Sequence, residues 1–127
     1  MSRPVLLDTS FLIALERETV RREIGPARRF LPTLRRRTIV VSIVSVEELL
    51  EGADDEAATL VALQRFTIQG LHLAQARRCA LLQRRAANRT GENDAWLLAT
   101  AESIDADVVG ADRAAFERIG PRYLRFR

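Results

Sequence analysis

No lysine occurs anywhere in the chain, and every one of its 20 positively charged residues is arginine. A phosphate-binding loop of the Walker type requires its Lys, and the receiver and haloacid-dehalogenase-type phosphotransfer sites, which also place an Asp after a first strand, normally use one too. With one Cys (Cys79) and one His (His72), neither a structural zinc site nor a disulfide framework can be assembled. A reducing, cytoplasmic setting fits that poverty of cysteine. Long apolar runs are also missing. The first, Pro4-Val5-Leu6-Leu7, is cut short by Asp8, and none approaches the ~20 residues of a membrane span, so neither a signal peptide nor a transmembrane helix is expected.

What is present is the makings of one ordinary core. At 127 residues and 47% hydrophobic, the sequence predicts a single domain over residues 1–127. The arginines give a net charge of +3 and a pI of about 10.3. That balance favours a polyanionic partner, and the planar guanidinium fork suits phosphate, although base composition explains the exchange of Lys for Arg itself.

Short β-rich runs alternate with helical stretches, the mark of an α/β fold with a central, mostly parallel sheet of four to five short strands flanked by helices. Strands are predicted at 4–8, 38–42, about 68–73, 107–110 and, weakly, 122–126. Most are short and wholly apolar, as strands covered on both faces should be. Helices are predicted from Ser10 to Arg17, from Ser45 to a stop at Gly52, from Asp54 through Phe66, from Ala74 to Asn88 and from Asp94 to Ile104. The segment between the first two is broken by Gly25-Pro26 and again by Pro32, which predicts two short helices. Phe30, Leu31 and Leu34 would give it an apolar face.

Four acids stand at informative places in this pattern. Asp8 closes the first apolar run, Glu48 follows the second, and Asp94 and Asp112 flank the last helix and strand. In a parallel sheet ligands gather at the carboxyl ends of strands, where Asp8 and Asp112 fall. Each acid also has a structural use. Asp8 and Asp112 precede helices and suit N-caps, Ser45 and Glu48 form a Ser-x-x-Glu capping box, and Asp94 suits a first turn. Together, however, carboxylates crowded at one edge repel unless a cation neutralises them. Hard Mg²⁺ or Mn²⁺ takes oxygen ligands and supports phosphodiester hydrolysis, so the set points to a metal-dependent nuclease.

At these residues the sequence resembles the PIN-domain nucleases, and most closely the VapC-type toxins of toxin–antitoxin pairs. Four elements carry the resemblance in order: Val5-Leu6-Leu7-Asp8-Thr9-Ser10; Ser42-Ile43-Val44-Ser45-Val46-Glu47-Glu48-Leu49-Leu50-Glu51-Gly52; Asn93-Asp94-Ala95-Trp96-Leu97-Leu98-Ala99-Thr100-Ala101; and Val108-Val109-Gly110-Ala111-Asp112-Arg113 with Phe116 following. It places the second acid on Glu48 and not Glu47; helical geometry does not choose, setting Glu48 opposite the stripe Val46-Leu49-Leu50-Ala53. The resemblance implies endonucleolytic cleavage of single-stranded or loop RNA with Mg²⁺ or Mn²⁺. Asp8 and Asp94 would be the principal ligands, and Glu48 and Asp112 would bind a second metal or orient the nucleophile. Thr9 or Ser10 could bond a carboxylate, with Ser10 as a helix cap the structural alternative. One departure is evident: the family commonly has Ser or Thr where this chain has Gly110.

Substrate contacts are expected from Arg78 and Arg85, seven apart on one helix, with Arg89 extending the same side. A solvated charged face is the competing explanation. Ala76, Cys79, Ala80, Gln83, Ala86 and Ala87 would form that helix's packed side, making Cys79 core and not a nucleophile. Arg35-Arg36-Arg37 suits dipole compensation at a helix end, and His72, in a short strand, and Trp96 are read as structural. The resemblance further implies a homodimer and a small antitoxin partner, whose apolar helix Phe11, Leu12, Leu15, Val20, Ile24, Phe30 and Leu34 could receive in a groove, or else bury as ordinary core. A PIN-like module that binds RNA or protein without cutting is the main alternative. A flap-type DNA nuclease would need more acids and more helices than this chain has room for.

Overall fold

The computed structural model describes residues 2–112, 114, 117 and 119–127. Arg113 and Phe116, the end of the fourth sequence element, lie outside the described residues. Five strands, β1 (Val5–Leu7), β2 (Ile39–Ser42), β3 (Thr67–Gln69), β4 (Asp107–Gly110) and β5 (Tyr123–Arg125), form one sheet in the order β3-β2-β1-β4-β5. All four pairings are parallel. Leu7 stands opposite Val41 on one side and Val109 on the other, so the carboxyl ends of the three central strands are level.

Burial on both faces explains the apolar strand sequences. Val5, Leu7, Val41 and Val109 pack with Phe11, Leu12, Leu15, Val46 and Leu49 on one face. Leu6, Val40, Val108 and Tyr123 pack with Ala101 and Ala106 on the other. Every residue of β1 is fully buried, as expected of the centre strand of a covered parallel sheet. Among the described residues six α-helices flank the sheet: α1 (Thr9–Arg21), α2 (Pro26–Phe30), α3 (Ile43–Glu51), α4 (Glu56–Leu63), α5 (Leu73–Arg85) and α6 (Glu92–Ser103). None of them is long and apolar enough to cross a membrane.

Several boundaries differ from the sequence pattern, each for a local reason. The third strand stops at Gln69, because the chain turns to start α5, where the His72 N–H is donated to Gln75 Oε1 at 2.9 Å. His72 therefore precedes a helix and is not in a strand. The segment broken by Gly25-Pro26 and Pro32 does form two short helical pieces, α2 and a 3₁₀ turn, Leu31–Leu34, which follow without a gap because proline near the start of the turn leaves no bond unmade. Ser45 is not a cap. Strand β2 passes directly into α3, whose cap is Ser42, with Oγ accepting from the Val44 N–H at 3.1 Å, and Ser45 is buried inside the helix. Asp55, not Asp54, caps α4.

On α5 the buried side is Gln75 and Cys79, with Leu82 packed beside them against Ala95, Ala99 and Trp96 of α6. Ala76 and Ala80, expected there, are exposed, because the face turned inward is the one on which Gln75 bonds Ser103 Oγ at 2.9 Å. Ala87 is exposed because the helix has already ended at Arg85. Burial first, then Glu92, pushes the Cys79 thiol up, with Arg89 opposing. A core cysteine of that kind is inert.

Two side chains lock the frame: Arg37, expected only to compensate a helix end, and Glu18, which the sequence pattern did not single out. Arg37 reaches the amino edge of the sheet, donating from Nε to the Arg3 carbonyl at 2.9 Å and from Nη2 to Asp107 Oδ2 at 2.5 Å. Glu18, buried on α1, accepts the backbone N–H groups of Gly25 (2.9 Å), Ala27 (3.0 Å) and Arg28 (2.8 Å), clasping α2 to α1. Any side chain at position 25 would meet it, since a Cβ there would lie 2.6 Å from Glu18 Cδ. Burial tends to raise the Glu18 carboxyl, but the N–H groups of Arg28, Ala27 and Gly25, aided by Arg29, outweigh it and hold its pKa below the usual value.

A carboxyl depressed in the folded state contributes stability above its unfolded pKa, about 4.3, and loses it as pH falls through the lower folded value. Glu18→Gln is therefore expected to cost about 1 to 2 kcal/mol at pH 6. In urea unfolding the gap from the parent should narrow steadily as pH drops below about 4.3. A gap unchanged at low pH would show that the charge of Glu18 is not what holds α2.

Candidate functional site at the carboxyl edge

The strand order reverses direction at β1: the chain leaves to β2 on one side and reaches β4 on the other. Such a switch point opens a crevice at the carboxyl ends. Asp8 is the first residue beyond β1 and Asp112 lies just beyond β4. Asp94 is in the first turn of α6. These three acids, with Leu97, Leu98, Val108, Ile119 and Tyr123, line one cleft of about 40 Å³.

Asp8 is buried and densely bonded. Its Oδ1 accepts from Ser10 Oγ at 2.6 Å and from the Phe11 N–H at 3.1 Å, so Asp8 is also the N-cap of α1. Its Oδ2 accepts from Tyr123 Oη at 2.9 Å. Burial is the largest influence and raises its pKa; the bonds from Ser10, Phe11 and Tyr123 oppose it, and the charge of Asp112 adds to the rise. Burial likewise raises the Tyr123 phenol, assisted by Asp8. Asp112 is exposed, its Oδ1 accepting from the Ala114 N–H at 2.9 Å; whether it caps a helix falls on residues outside those described.

Glu48 stands at the same edge but does not line that cleft. Thr9 Oγ1 lies 2.8 Å from Glu48 Oε1 and 2.9 Å from Ser45 Oγ. One hydroxyl has one proton, and a carboxylate can only accept, so Thr9 donates to Glu48 and accepts from Ser45. This relay separates the neighbouring acids: Glu48 is half-buried and held, whereas Glu47 is exposed. Among the described residues no three His, Cys, Asp or Glu side chains are grouped closely enough to hold a metal ion. The donor set is nonetheless all hard oxygen, two of the acids repel one another, and the cleft exceeds the ~15 Å³ that a single water needs. That chemistry fits a partly hydrated Mg²⁺ or Mn²⁺ better than a closed cage.

The arginines and the apolar segment depart from expectation. Arg78 leans on α6, with Nε 3.7 Å from Glu102 Oε2. Arg85 is exposed at the end of α5, and Arg89 lies beyond that end and does not extend its face. A different basic surface adjoins the site: a cleft of about 190 Å³ lined by Ser10, Arg17, Arg21 and Arg127, with Glu18 and Glu23. Phe11, Leu12, Leu15 and Leu34 are core residues and form no open groove, and Phe30 packs against that core. Val20 and Ile24 remain exposed, as does Ile13. Sequence reasoning missed Tyr123. The signal was there: the lone tyrosine of the chain falls in the last predicted strand, and a tyrosine needs a partner for its hydroxyl when buried.

A five-stranded parallel sheet with carboxylates over the crevice beside its central strand defines an α/β protein with its polar site at the switch point. The chain belongs to the PIN-domain family, matching the PIN domain over residues 5–120. No curated protein sequence matches it. Among solved structures it is similar to a toxin–antitoxin complex from Klebsiella pneumoniae, with 24% identity over 97% of this chain and 98% of that one and a TM-score of 0.77. It is also similar to DNA-bound VapBC from Salmonella typhimurium, with 19% identity over 99% and 100% of the chains and a TM-score of 0.76. VapBC-1 from nontypeable Haemophilus influenzae gives 20% identity over 96% and 97% and a TM-score of 0.72. At these identities the likeness is one of fold.

Thr9→Val keeps the volume but removes the link between Ser45 and Glu48. It is expected to cost about 1 kcal/mol in urea unfolding, with Thr9→Ser near neutral. Equal stability of the Val and Ser variants would remove the relay.

Proposed function

We propose that the chain is a divalent-metal-dependent endoribonuclease acting on single-stranded or loop RNA, the toxin of a type II toxin–antitoxin pair. The observation that carries this reading is the convergence of Asp8, Asp94 and Asp112 on one cleft at the switch point. Family membership and the toxin–antitoxin complexes among the similar structures support it.

In this reading Asp8 and Asp94 are the principal holders of Mg²⁺ or Mn²⁺, with Asp112 across the cleft and Glu48, steadied by Thr9, at its margin. The bound ion would activate a water and offset phosphate charge in the transition state. Ser10 and Tyr123 fix the Asp8 carboxylate. The apolar wall of Leu97, Leu98, Val108 and Ile119 limits access of bulk water, which strengthens every charge interaction in the cleft. RNA phosphates approach over Arg17, Arg21 and Arg127, with Arg85 and Arg89 as a second track and Arg78, partnered by Glu102, the least available. A small antitoxin with an apolar helix would cover Ile13, Val20 and Ile24, and the chain would pair as a homodimer, which co-purification and light scattering would test.

A PIN-like module that binds RNA or protein without cutting is the second reading, favoured by the lack, among the described residues, of three acids grouped around one ion position. Purified protein is expected to cleave a mixed RNA pool with Mg²⁺ or Mn²⁺ and to stop on chelation. Asp8→Asn should reduce cleavage at least 100-fold while leaving the fold intact. Cleavage undiminished by a chelator would exclude the mechanism, and absence of turnover with every divalent ion would favour the binding module.

RNA binding supplies a separate check. Neutralising one phosphate contact on a single strand changes the slope of log K against log salt by about 0.7. Arg17→Ala with Arg21→Ala should therefore flatten that slope by about 1.4. The same slope in parent and double variant would move the RNA path to Arg85 and Arg89.

A further inference from the structure

We infer that Tyr123 is a positioning residue of the cation site, and that Gly110 is glycine because the Tyr123 hydroxyl and the Asp8 carboxylate fill the space a side chain would take. The inference rests on the metal-dependent reading above and deepens it. A Cβ built on Gly110 would overlap Asp8 Oδ2, Asp8 Cγ and Tyr123 Oη. The position is fully closed, and what closes it is the first acid and the phenol.

The bonding pattern explains why the phenol matters. Tyr123 Oη accepts from the Asp112 backbone N–H at 3.0 Å and donates to Asp8 Oδ2 at 2.9 Å. Ser10 mirrors it, with Oγ accepting from the Ala111 N–H at 3.1 Å and donating to Asp8 Oδ1 at 2.6 Å. A hydroxyl has a single proton to give. Successive backbone N–H groups after β4 thus point the two hydroxyls, and each proton is directed at a different oxygen of the same carboxylate. Asp8 is held from both sides, and its orientation is tied to the segment that carries Asp112.

The phenol arrives from β5, where Tyr123 pairs with Val108 two residues before Gly110. Chain positions 8, 110 and 123 are therefore one packing unit built from three neighbouring strands. The sequence showed Gly110 where a Ser or Thr hydroxyl was expected; in this chain the hydroxyl comes from β5. Partners of this kind, one bond removed from an ion, typically change metal affinity 10- to 100-fold when lost.

The test is a double-mutant cycle on the full chain, read by calorimetric titration with Mn²⁺ and by melting temperature without metal. Tyr123→Phe is expected to weaken Mn²⁺ binding about 10- to 100-fold and to reduce the Mn²⁺-induced rise in melting temperature. Gly110→Ser in the parent should be severely damaging, because its Cβ meets the phenol and carboxylate. In the Tyr123→Phe background the phenol oxygen is gone and Asp8 Oδ2 has lost its partner. It can then swing aside about the Oδ1 that Ser10 and the Phe11 N–H still hold, and Gly110→Ser should recover part of the Mn²⁺ affinity. Parent-like Mn²⁺ binding by Tyr123→Phe, or equal damage from Gly110→Ser in both backgrounds, would overturn the inference while leaving the nuclease reading standing. A parent that binds no Mn²⁺ would overturn both. If Tyr123→Phe alone unfolds, recovery of fold and Mn²⁺ binding by the pair supports the inference, and failure of the pair overturns it.

Discussion

The structure hangs on the burial of β1 from both sides. A strand whose every side chain is covered must occupy the middle of a parallel sheet, with helices above and below it. The chain then has no choice about where its first polar residue emerges. Asp8 appears at the carboxyl end of the central strand, between β2 and β4 and directly over the switch point. Every other feature of the site is arranged around that exit: α1 begins on the Asp8 carboxylate, β4 delivers Asp112 beside it, and β5 supplies the phenol that holds it.

Asp8 illustrates why capping and site function are not rival accounts. It caps α1 through Oδ1 and leaves Oδ2 facing Tyr123. A carboxylate has acceptor capacity for several donors, so one residue can begin a helix and still face a cleft. The capping box at Ser45 and Glu48 is the contrary case. Because β2 runs into α3 without a loop, Ser42 takes the cap, Ser45 is carried inside, and Glu48 is left for Thr9.

Opposite ends of the sheet divide the electrostatic work. At the amino edge Arg37 joins the carbonyl of Arg3 to Asp107, and Arg122 is paired with Asp105, so charge there is compensated and the strands are pinned. At the carboxyl edge burial is the main influence that raises the Asp8 carboxyl, and the charge of Asp112, across the same cleft, adds to it. Charges are thus paired off at the amino edge, whereas the carboxylates at the other edge keep a repulsion that the proposed cation would offset.

The periodicity of short apolar runs determined the α/β class, the single domain and four of the strand positions closely, since strands buried on both faces must be apolar whatever surrounds them. Asp8 and Asp112 were marked by their places after apolar runs, where polar residues have few other places to go, whereas the choice of Glu48 over Glu47 came from the family resemblance and not from spacing. Tertiary structure alone decided the rest. Which helix face is buried on α5 depended on Gln75 finding Ser103; which arginines are free depended on Glu102 claiming Arg78; and the core, not a groove, took Phe11, Leu12, Leu15 and Leu34. The meaning of Gly110 was out of reach for the same reason. Its neighbour is Tyr123, brought beside it by strand pairing, and no local pattern in a chain reveals which distant side chain will fill the space a glycine leaves.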